Sequence, residues 1–256
     1  MKFPIFLLIF SAVFSNVATA GLKIYYMRHA EGGHNVKKAW EVKGVPQSEW
    51  PSYVGNPDVF TPKGLEEVAS ATKKLQKYSF DFVATSPMWR ARNTIAPYLK
   101  AAKKQAEVWP ELREGFGMKV ILSEELPEVK VDILNKGDAI VLPEIESAFF
   151  KLRAGGENNY KRYPKDSSNE VKAAYTKKVS QHAVELIKKR FGGTDQSILI
   201  AGHNSSGVSL MKLLLEEEPG GEAKIGLINV ALWMVEQQDD GSFELKMYND
   251  KPFVKE

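Results

Sequence analysis

The sequence predicts a three-layer α/β/α sandwich with a mainly parallel sheet, and two observations support this fold class. Short apolar runs alternate with amphipathic segments of helical spacing along much of the 256-residue chain. Two of the runs, LKIYYMRH and SILIAGH, are nearly all apolar and β-branched or aromatic, as in strands covered on both faces. Each run ends in a histidine, His29 or His203, and a polar loop follows it.

The first predicted strand–helix unit begins at the LKIYYMRH run. Residues 23–27 form its strand, and a loop rich in Trp, Pro and Gly continues to Phe60. Thr61 and Pro62 suit the N-cap and the first position of a helix. The expected apolar face of that helix comprises Leu65, Val68 and Leu75.

A second unit repeats this design. Residues 81–85 form the next predicted strand, and Ser86 with Pro87 repeats the cap-and-proline signal for a helix through about residue 103. Val108 belongs to a third, short strand. Residues from about 118 to 168 break the rhythm and are interpreted as a cap inserted over the sheet edge. The basic residues and tyrosines of this insertion, among them Arg153, are expected on a solvated surface, and contact with an anionic tail of the substrate is the alternative.

The last third of the chain returns to regular elements. A long helix is predicted over residues 169–191, a strand over 198–201 and a helix over 206–215. Two further runs, 227–236 and 243–247, flank the turn-forming segment QQDDGS and predict a closing hairpin.

Residues 1–20 have the layout of a cleaved secretory signal peptide. One lysine precedes an apolar stretch over residues 3–14, and Ala18-Thr19-Ala20 provides a small-residue cleavage site. The alternative, a retained membrane anchor, is disfavoured because a bilayer needs roughly 20 apolar residues. We therefore expect a secreted or periplasmic mature domain, residues 21–256, without stable membrane association.

Composition excludes several function classes. The chain contains no cysteine, so thiolate catalysis, lipobox lipidation and cysteine-ligated zinc are excluded. Its net charge of +3 and its lack of a Lys/Arg-rich run give no support for nucleic-acid binding. The oligomeric state is left open.

The two strand-terminal histidines predict a phosphoryl-transfer site. In open α/β sheets, reacting groups gather beyond the carboxyl ends of the strands, so His29 and His203 can meet there. Arg28 and Arg90 are candidate donors to phosphate oxygens, and His29 is a candidate nucleophile. His203 and the backbone N–H of Asn204 can donate further hydrogen bonds.

The sequence around these residues resembles the histidine phosphatase superfamily, the phosphoglycerate mutase-like proteins, of branch 1 type. YYMRHAEGGHN is similar to the family signature R-H-G-E-x-x-x-N. FTPKG, FDFVATSPMWRARNT, ELREGFG, ILIAGH and INVALWMVEQQDDGSFEL follow in the family's order. The resemblance extends from Lys23 to the end of the chain, with residues 118–168 unmatched.

The resemblance implies a role for each site residue. His29 would form a phosphohistidine, and Asn35 would join Arg28, Arg90 and His203 in the phosphate pocket. Glu114 would protonate the leaving group and then act as base toward water, although Glu111, three residues earlier, is an alternative. No metal and no cofactor are expected.

Three positions depart from the family pattern, and one of these departures has a consequence. Ala30 replaces the usual glycine, and Gly32 stands where mutases often carry a Ser or Thr that touches substrate. The second departure weakens a mutase interpretation and leaves phosphate hydrolysis intact. Asn93 replaces a frequent glutamine, and we attach no consequence to it.

The remaining polar residues are not assigned to catalysis. His34 is expected at the rim of the pocket, with contact to the substrate as the alternative. His182 is expected in a structural position and Arg92 on a solvated helix face. The sequence thus predicts an exported phosphatase that hydrolyses a small-molecule phosphate ester. The alternatives are a phosphomutase and a non-catalytic phosphate-binding module.

Overall fold

An eight-stranded sheet organises the molecule. The computed structural model describes residues 21–114, 119–120, 140–154, 160–161 and 168–255. The strands are β1 Lys23–Arg28, β2 Phe82–Thr85, β3 Ala106–Val108, β4 Lys119–Val120, β5 Phe150–Leu152, β6 Tyr160–Lys161, β7 Ser197–Gly202, β8 Leu232–Gln237, β9 Phe243–Tyr248 and β10 Lys251–Pro252. The strand order in the sheet is β10-β9-β8-β1-β7-β2-β3-β5, and β4 and β6 form a separate pair.

Helices cover both faces of this sheet. They are α1 Gly33–Val42, α2 Pro62–Leu75, α3 Trp89–Ala102, α4 Asn169–Phe191 and α5 Asn204–Leu215. One buried cluster joins β1 and β7 to α4 and α5 and includes Ile24, Ile200, Ile187 and Leu210. The other joins the opposite sheet face to α2 and α3 and includes Val83, Leu199, Leu75 and Ile95. The predicted three-layer sandwich is confirmed.

The strands on one side of β1 in the sheet are parallel, and those on its other side are antiparallel. β1 pairs in parallel with β7, β7 with β2, β2 with β3, and β3 with β5. β8, β9 and β10 add antiparallel strands on the other side of β1. The predicted closing hairpin is therefore present, with its first strand beginning at Leu232.

The strand register places the functional segments at one level. Arg28 lies opposite Gly202 at the ends of β1 and β7, so His29 and His203 leave the sheet side by side. Thr85 lies opposite Ala201, which brings the beginning of α3 to the same edge. Val108 lies opposite Thr85, so the segment after β3 reaches this edge too.

Local sequence signals explain some element boundaries. The Thr61 hydroxyl accepts a hydrogen bond from the Gly64 N–H at 2.9 Å, which confirms the predicted N-cap of α2. The prediction that Leu65 lies on the apolar face is wrong, because this residue is 63% exposed. Val68 is half-buried and Leu75 is buried, as expected.

Three predicted boundaries differ from the structure. The loop before Phe60 contains helix α1, in which Gly33 is the only buried residue. Helix α3 begins at Trp89 with Met88 as its N-cap, so Ser86 does not cap it. Helix α5 begins at Asn204, directly after His203, which itself occupies the N-cap position.

The predicted signal peptide, residues 1–20, and much of the predicted insertion lie outside the described residues. Within the described part of the insertion, Phe150–Leu152 pairs with β3 and so extends the main sheet. Arg92 is buried, not solvated as predicted, because its Nε donates to Glu146 of this segment at 2.5 Å. No helix among the described residues is long and apolar enough to cross a membrane.

Candidate active site

Two buried imidazoles form the centre of the site. His29 follows β1 and His203 follows β7, and their ring centroids are 5.2 Å apart. Their exposed fractions are 1% and 0%. The predicted meeting of these two histidines is thus what the structure shows.

His29 is oriented as a neutral imidazole with its lone pair on Nε2. Its Nδ1 lies 2.7 Å from the Ala30 carbonyl oxygen, which can only accept, so Nδ1 carries the proton. Arg90 donates from Nε to the Nε2 of His29 at 3.2 Å. Burial, reinforced by the charges of Arg90 and Arg28, holds the pKa of His29 well below 6.5.

Two guanidinium groups flank this imidazole. Arg90, on the first turn of α3, is buried, and its Nη2 lies 3.3 Å from Oε2 of Glu114. Arg28 donates from Nη1 to the Leu227 carbonyl oxygen at 2.7 Å, while its buried Nε has no hydrogen-bond partner among the described residues. Arg28 therefore keeps donor capacity for an anion.

Three hydrogen bonds hold His203 in place. Its Nε2 lies 2.7 Å from the Ser86 hydroxyl, and its backbone N–H donates to the Tyr26 hydroxyl at 2.6 Å. The Tyr26 hydroxyl in turn donates to the His203 carbonyl oxygen at 3.0 Å. Complete burial, with the nearby charge of Arg90, holds the pKa of His203 well below 6.5. This imidazole is also neutral.

The structure distinguishes the two candidate carboxylates. Glu114 lies in the site, where its Oε1 accepts from the Ser205 N–H at 3.1 Å and its Oε2 lies 3.5 Å from the Nδ1 of His203. Glu111 is buried elsewhere, 2.5 Å from Arg153 Nη2 and 3.3 Å from His182 Nδ1. Arg153 is thus a partly buried ion-pair partner and not a solvated group, contrary to the prediction.

The two asparagines lie at the edges of the site, and their described contacts are with the backbone. Asn35 Oδ1 accepts from the Gly32 N–H at 2.9 Å, and Asn204 Oδ1 accepts from the Leu227 N–H at 2.7 Å. Both side chains therefore hold the loops around the pocket. Their contacts with phosphate remain a prediction.

Three supporting residues were not found from the sequence. The Thr94 hydroxyl accepts from the Ala30 N–H and donates to the Arg90 carbonyl oxygen, which links the His29 loop to α3. Asn229 donates to the His29 carbonyl oxygen at 2.7 Å, and Ser86 contacts His203 as described. The four-residue spacing from Arg90 to Thr94 was the available signal; no local pattern marks Asn229.

The donor set favours an anion over a metal ion. Single ligand atoms of His29, Glu114 and His203 lie within 4.8 Å of one another, as in a cation site. Arg90, however, already donates to the Nε2 of His29 and the Oε2 of Glu114, so a cation would have to displace a guanidinium. Two fixed positive groups beside neutral imidazoles suit a tetrahedral oxyanion.

A family model matches part of this chain. The model of the histidine phosphatase superfamily (branch 1) matches residues 24–128, which is less than half of the 256 residues. This confirms the resemblance seen in the sequence, and the matched region contains Arg28, His29, Arg90 and Glu114. His203 lies outside it, and the fold alone brings that residue to the others.

Solved structures share the histidine phosphatase fold with this chain. Alpha-ribazole phosphatase from Shigella flexneri is similar with a TM-score of 0.52 and 16% identity over 91% of this chain and 99% of that chain. A phosphoserine phosphatase variant from Entamoeba histolytica, in complex with phosphoserine, has a TM-score of 0.51 and 22% identity over 89% and 96%.

A third relative has the same architecture. Mycobacterial glucosyl-3-phosphoglycerate phosphatase, in complex with VO3, has a TM-score of 0.51 and 18% identity over 90% of this chain and 99% of that chain. A search of curated proteins found no match. Identities this low establish the fold, whereas the reaction has to be argued from the site.

Proposed function

We propose that this chain is a phosphatase that hydrolyses small-molecule phosphate monoesters through a phosphohistidine on His29. The observation that carries the proposal is the unprotonated Nε2 of His29, held between a buried arginine and a second neutral imidazole. A nucleophile with its lone pair directed into an anion pocket needs no base to activate it.

In the first step, the phosphoryl group of the ester binds between Arg28, Arg90 and His203. The Nε2 of His29 attacks phosphorus in line with the departing ester oxygen, so a P–N bond forms as the P–O bond breaks. Arginine forks stabilise the charge on the non-bridging oxygens. Glu114, in its protonated form, gives its proton to the leaving oxygen, and an alcohol departs.

In the second step, the Glu114 carboxylate accepts a proton from water as the water oxygen attacks phosphorus. The P–N bond breaks, its electrons return to the Nε2 of His29, and inorganic phosphate leaves. Glu114 is protonated again, so the site is ready for another ester. The Ser205 N–H holds this carboxylate near the pocket in both steps.

We also propose that the phosphatase is exported. The supporting feature is the composition of residues 1–20, a basic residue followed by an apolar stretch and a small-residue cleavage site. Mass spectrometry of the protein purified from an expressing cell should give a mature chain that begins at Gly21. A chain that retains residues 1–20 would contradict export by cleavage.

A trapping experiment tests the mechanism. Incubation with a labelled phosphate ester, quenched at neutral or alkaline pH, should leave label on the wild-type protein that acid releases. His29→Ala should abolish the label and the hydrolysis of para-nitrophenyl phosphate, while the control His182→Ala should keep both. Unchanged turnover in His29→Ala would refute the proposal.

The same assay separates the alternative functions. A phosphomutase would interconvert phosphate esters without release of inorganic phosphate in proportion to turnover. A binding module would bind inorganic phosphate and show no turnover on a broad panel of esters. Stoichiometric release of phosphate and alcohol is the result expected here.

A further inference from the structure

A third imidazole, that of His34, lies beside the site. His34 is on the first turn of α1, and its ring centroid is 5.5 Å from that of His29 at an interplanar angle of 43°. Its ring is half-buried, whereas His29 and His203 are buried completely. His34 therefore lies between the buried imidazoles and the solvent.

The backbone at Gly32 makes room for this ring. A Cβ atom placed on Gly32 would lie 2.9 Å from the Nδ1 and 3.0 Å from the Cε1 of His34. Any side chain at position 32 would therefore push the imidazole out of its place. Nδ1 is buried against this glycine and has no hydrogen-bond partner among the described residues, so Nε2 is the nitrogen that is left to contact a ligand.

The charges that act on His34 are those of the cations Arg90 and Arg28, and the carboxylates of Glu114, Glu67 and Glu31 lie around Arg28. Arg28 and His29 lie at the end of β1, Arg90 lies at the beginning of α3, and His203 lies at the end of β7. Burial, with the charges of Arg90 and Arg28, lowers the pKa of His34 to about 4. In the empty site His34 is therefore neutral at physiological pH.

A bound dianion changes the balance between the neutral and the protonated form of His34. Two negative charges among Arg28, Arg90 and the imidazoles offset the repulsion that keeps His34 neutral, so its protonated form becomes more favourable. A protonated ring carries hydrogens on both nitrogens, so its Nε2 can donate to an anion while Nδ1 stays buried. Ligand binding and proton binding are then linked, and each strengthens the other.

We propose that His34 is a further ligand of the bound phosphoryl group, to which it donates a hydrogen bond from Nε2 with a proton taken up on binding. This inference rests on the proposed function for the identity of the anion. It assigns His34 to substrate binding and not to bond breaking. It also gives a reason for glycine at position 32, because only glycine leaves the imidazole in place.

Phosphate binding tests this inference independently of turnover. Inorganic phosphate is titrated into the full mature chain at pH 6.0 by calorimetry, in two buffers of different ionisation enthalpy, to count the protons taken up. His34→Gln is compared with wild type, and His182→Gln, whose ring lies by Glu111, is the matched control. Circular dichroism confirms that each variant is folded.

We expect the wild type and the control to take up more protons than His34→Gln. Phosphate binding by His34→Gln should weaken about tenfold at pH 6.0 and less at pH 8, where the ring is harder to protonate. In turnover assays, KM should rise by a similar factor while kcat stays within about threefold. The His34 resonances in ¹⁵N NMR spectra should shift on addition of phosphate.

The outcomes separate this inference from the proposed function. Equal affinity and equal proton uptake in wild type and His34→Gln, with turnover intact, would overturn the role of His34 alone. Phosphate-dependent shifts of His34 without any turnover would support the role and overturn the phosphatase proposal. If inorganic phosphate does not bind the wild type, both are overturned.

Discussion

Arg90 contacts both the proposed nucleophile, His29, and the proposed acid, Glu114. Its Nε donates to the Nε2 of His29 at 3.2 Å, and its Nη2 lies 3.3 Å from Glu114. A single guanidinium thus occupies the space between the nucleophile and the acid. A bound phosphoryl group would take over these donors and so replace contacts within the protein by contacts with substrate. This relationship makes Arg90 the first residue to test.

Arg90→Lys should lower kcat/KM about 100- to 1,000-fold, since a lysine offers one point charge in place of a rigid fork. Steady-state kinetics on a phosphate ester measures this loss. Arg92→Lys, two residues away on α3, is the control. It should reduce the melting temperature, because Arg92 is paired with Glu146, and should leave kcat/KM within a few-fold of wild type.

Equal losses of activity in the two arginine variants would contradict this assignment. They would indicate that α3 has moved as a whole in both variants.

Ser86→Ala should impair His203 without removing it. The buried Nε2 of His203 would lose its contact with the Ser86 hydroxyl at 2.7 Å, which costs about 1–3 kcal/mol of unfolding free energy. We expect a fall in kcat/KM of about tenfold, because the imidazole is no longer held in one orientation. Urea denaturation and steady-state kinetics measure the two effects. Ser147→Ala, at an exposed serine, should change neither.

Glu114→Gln should lower activity, whereas Glu111→Gln should lower the stability of the fold. Loss of the proton donor should lower kcat about 100- to 10,000-fold for an alkyl phosphate and much less for para-nitrophenyl phosphate, whose leaving group needs little protonation. Glu111→Gln should instead cost roughly 3–5 kcal/mol of stability, because Arg153 would lose its buried partner. Kinetics on both esters and denaturation of both variants provide the test.

A Glu114→Gln variant equally impaired on both esters would argue against general acid catalysis by this residue. Wild-type stability in Glu111→Gln would show that the ion pair with Arg153 contributes little.

The stability of the protein should decrease as the pH falls below about 6.5. His29 and His203 have lowered pKa values in the folded state, so they bind protons more readily in the unfolded chain. Acid therefore favours the unfolded state and lowers the free energy of unfolding. Each histidine should contribute a slope of about 1.4 kcal/mol per pH unit between its unfolded and folded pKa values.

Denaturation at a series of pH values measures this slope. His203→Gln should be less pH-dependent than the wild type over the interval from pH 6.5 to 5, even if it is less stable overall. A wild-type unfolding free energy that is constant over that interval would contradict buried neutral histidines.

Several features of the site were predictable because their signals are local. The apolar runs before His29 and His203 predicted two covered strands, and the Thr61-Pro62 pair predicted the beginning of α2. The helix over residues 169–191 was predicted within its observed bounds. Helix α1 was missed because it is short, at 10 residues, and Gly33 is the only residue in it that is buried.

The sequence by itself determined which residue types stand at the strand ends, since covered strands and helix caps are set by neighbours in the chain. Only the tertiary structure showed which of Glu111 and Glu114 lies in the site. It also showed that Arg92 is buried and that Ser86 contacts His203. The physical reason is that strand order and register fix these contacts between distant segments. Spacing along the chain shows which groups can reach the sheet edge, whereas packing decides which of them face one another.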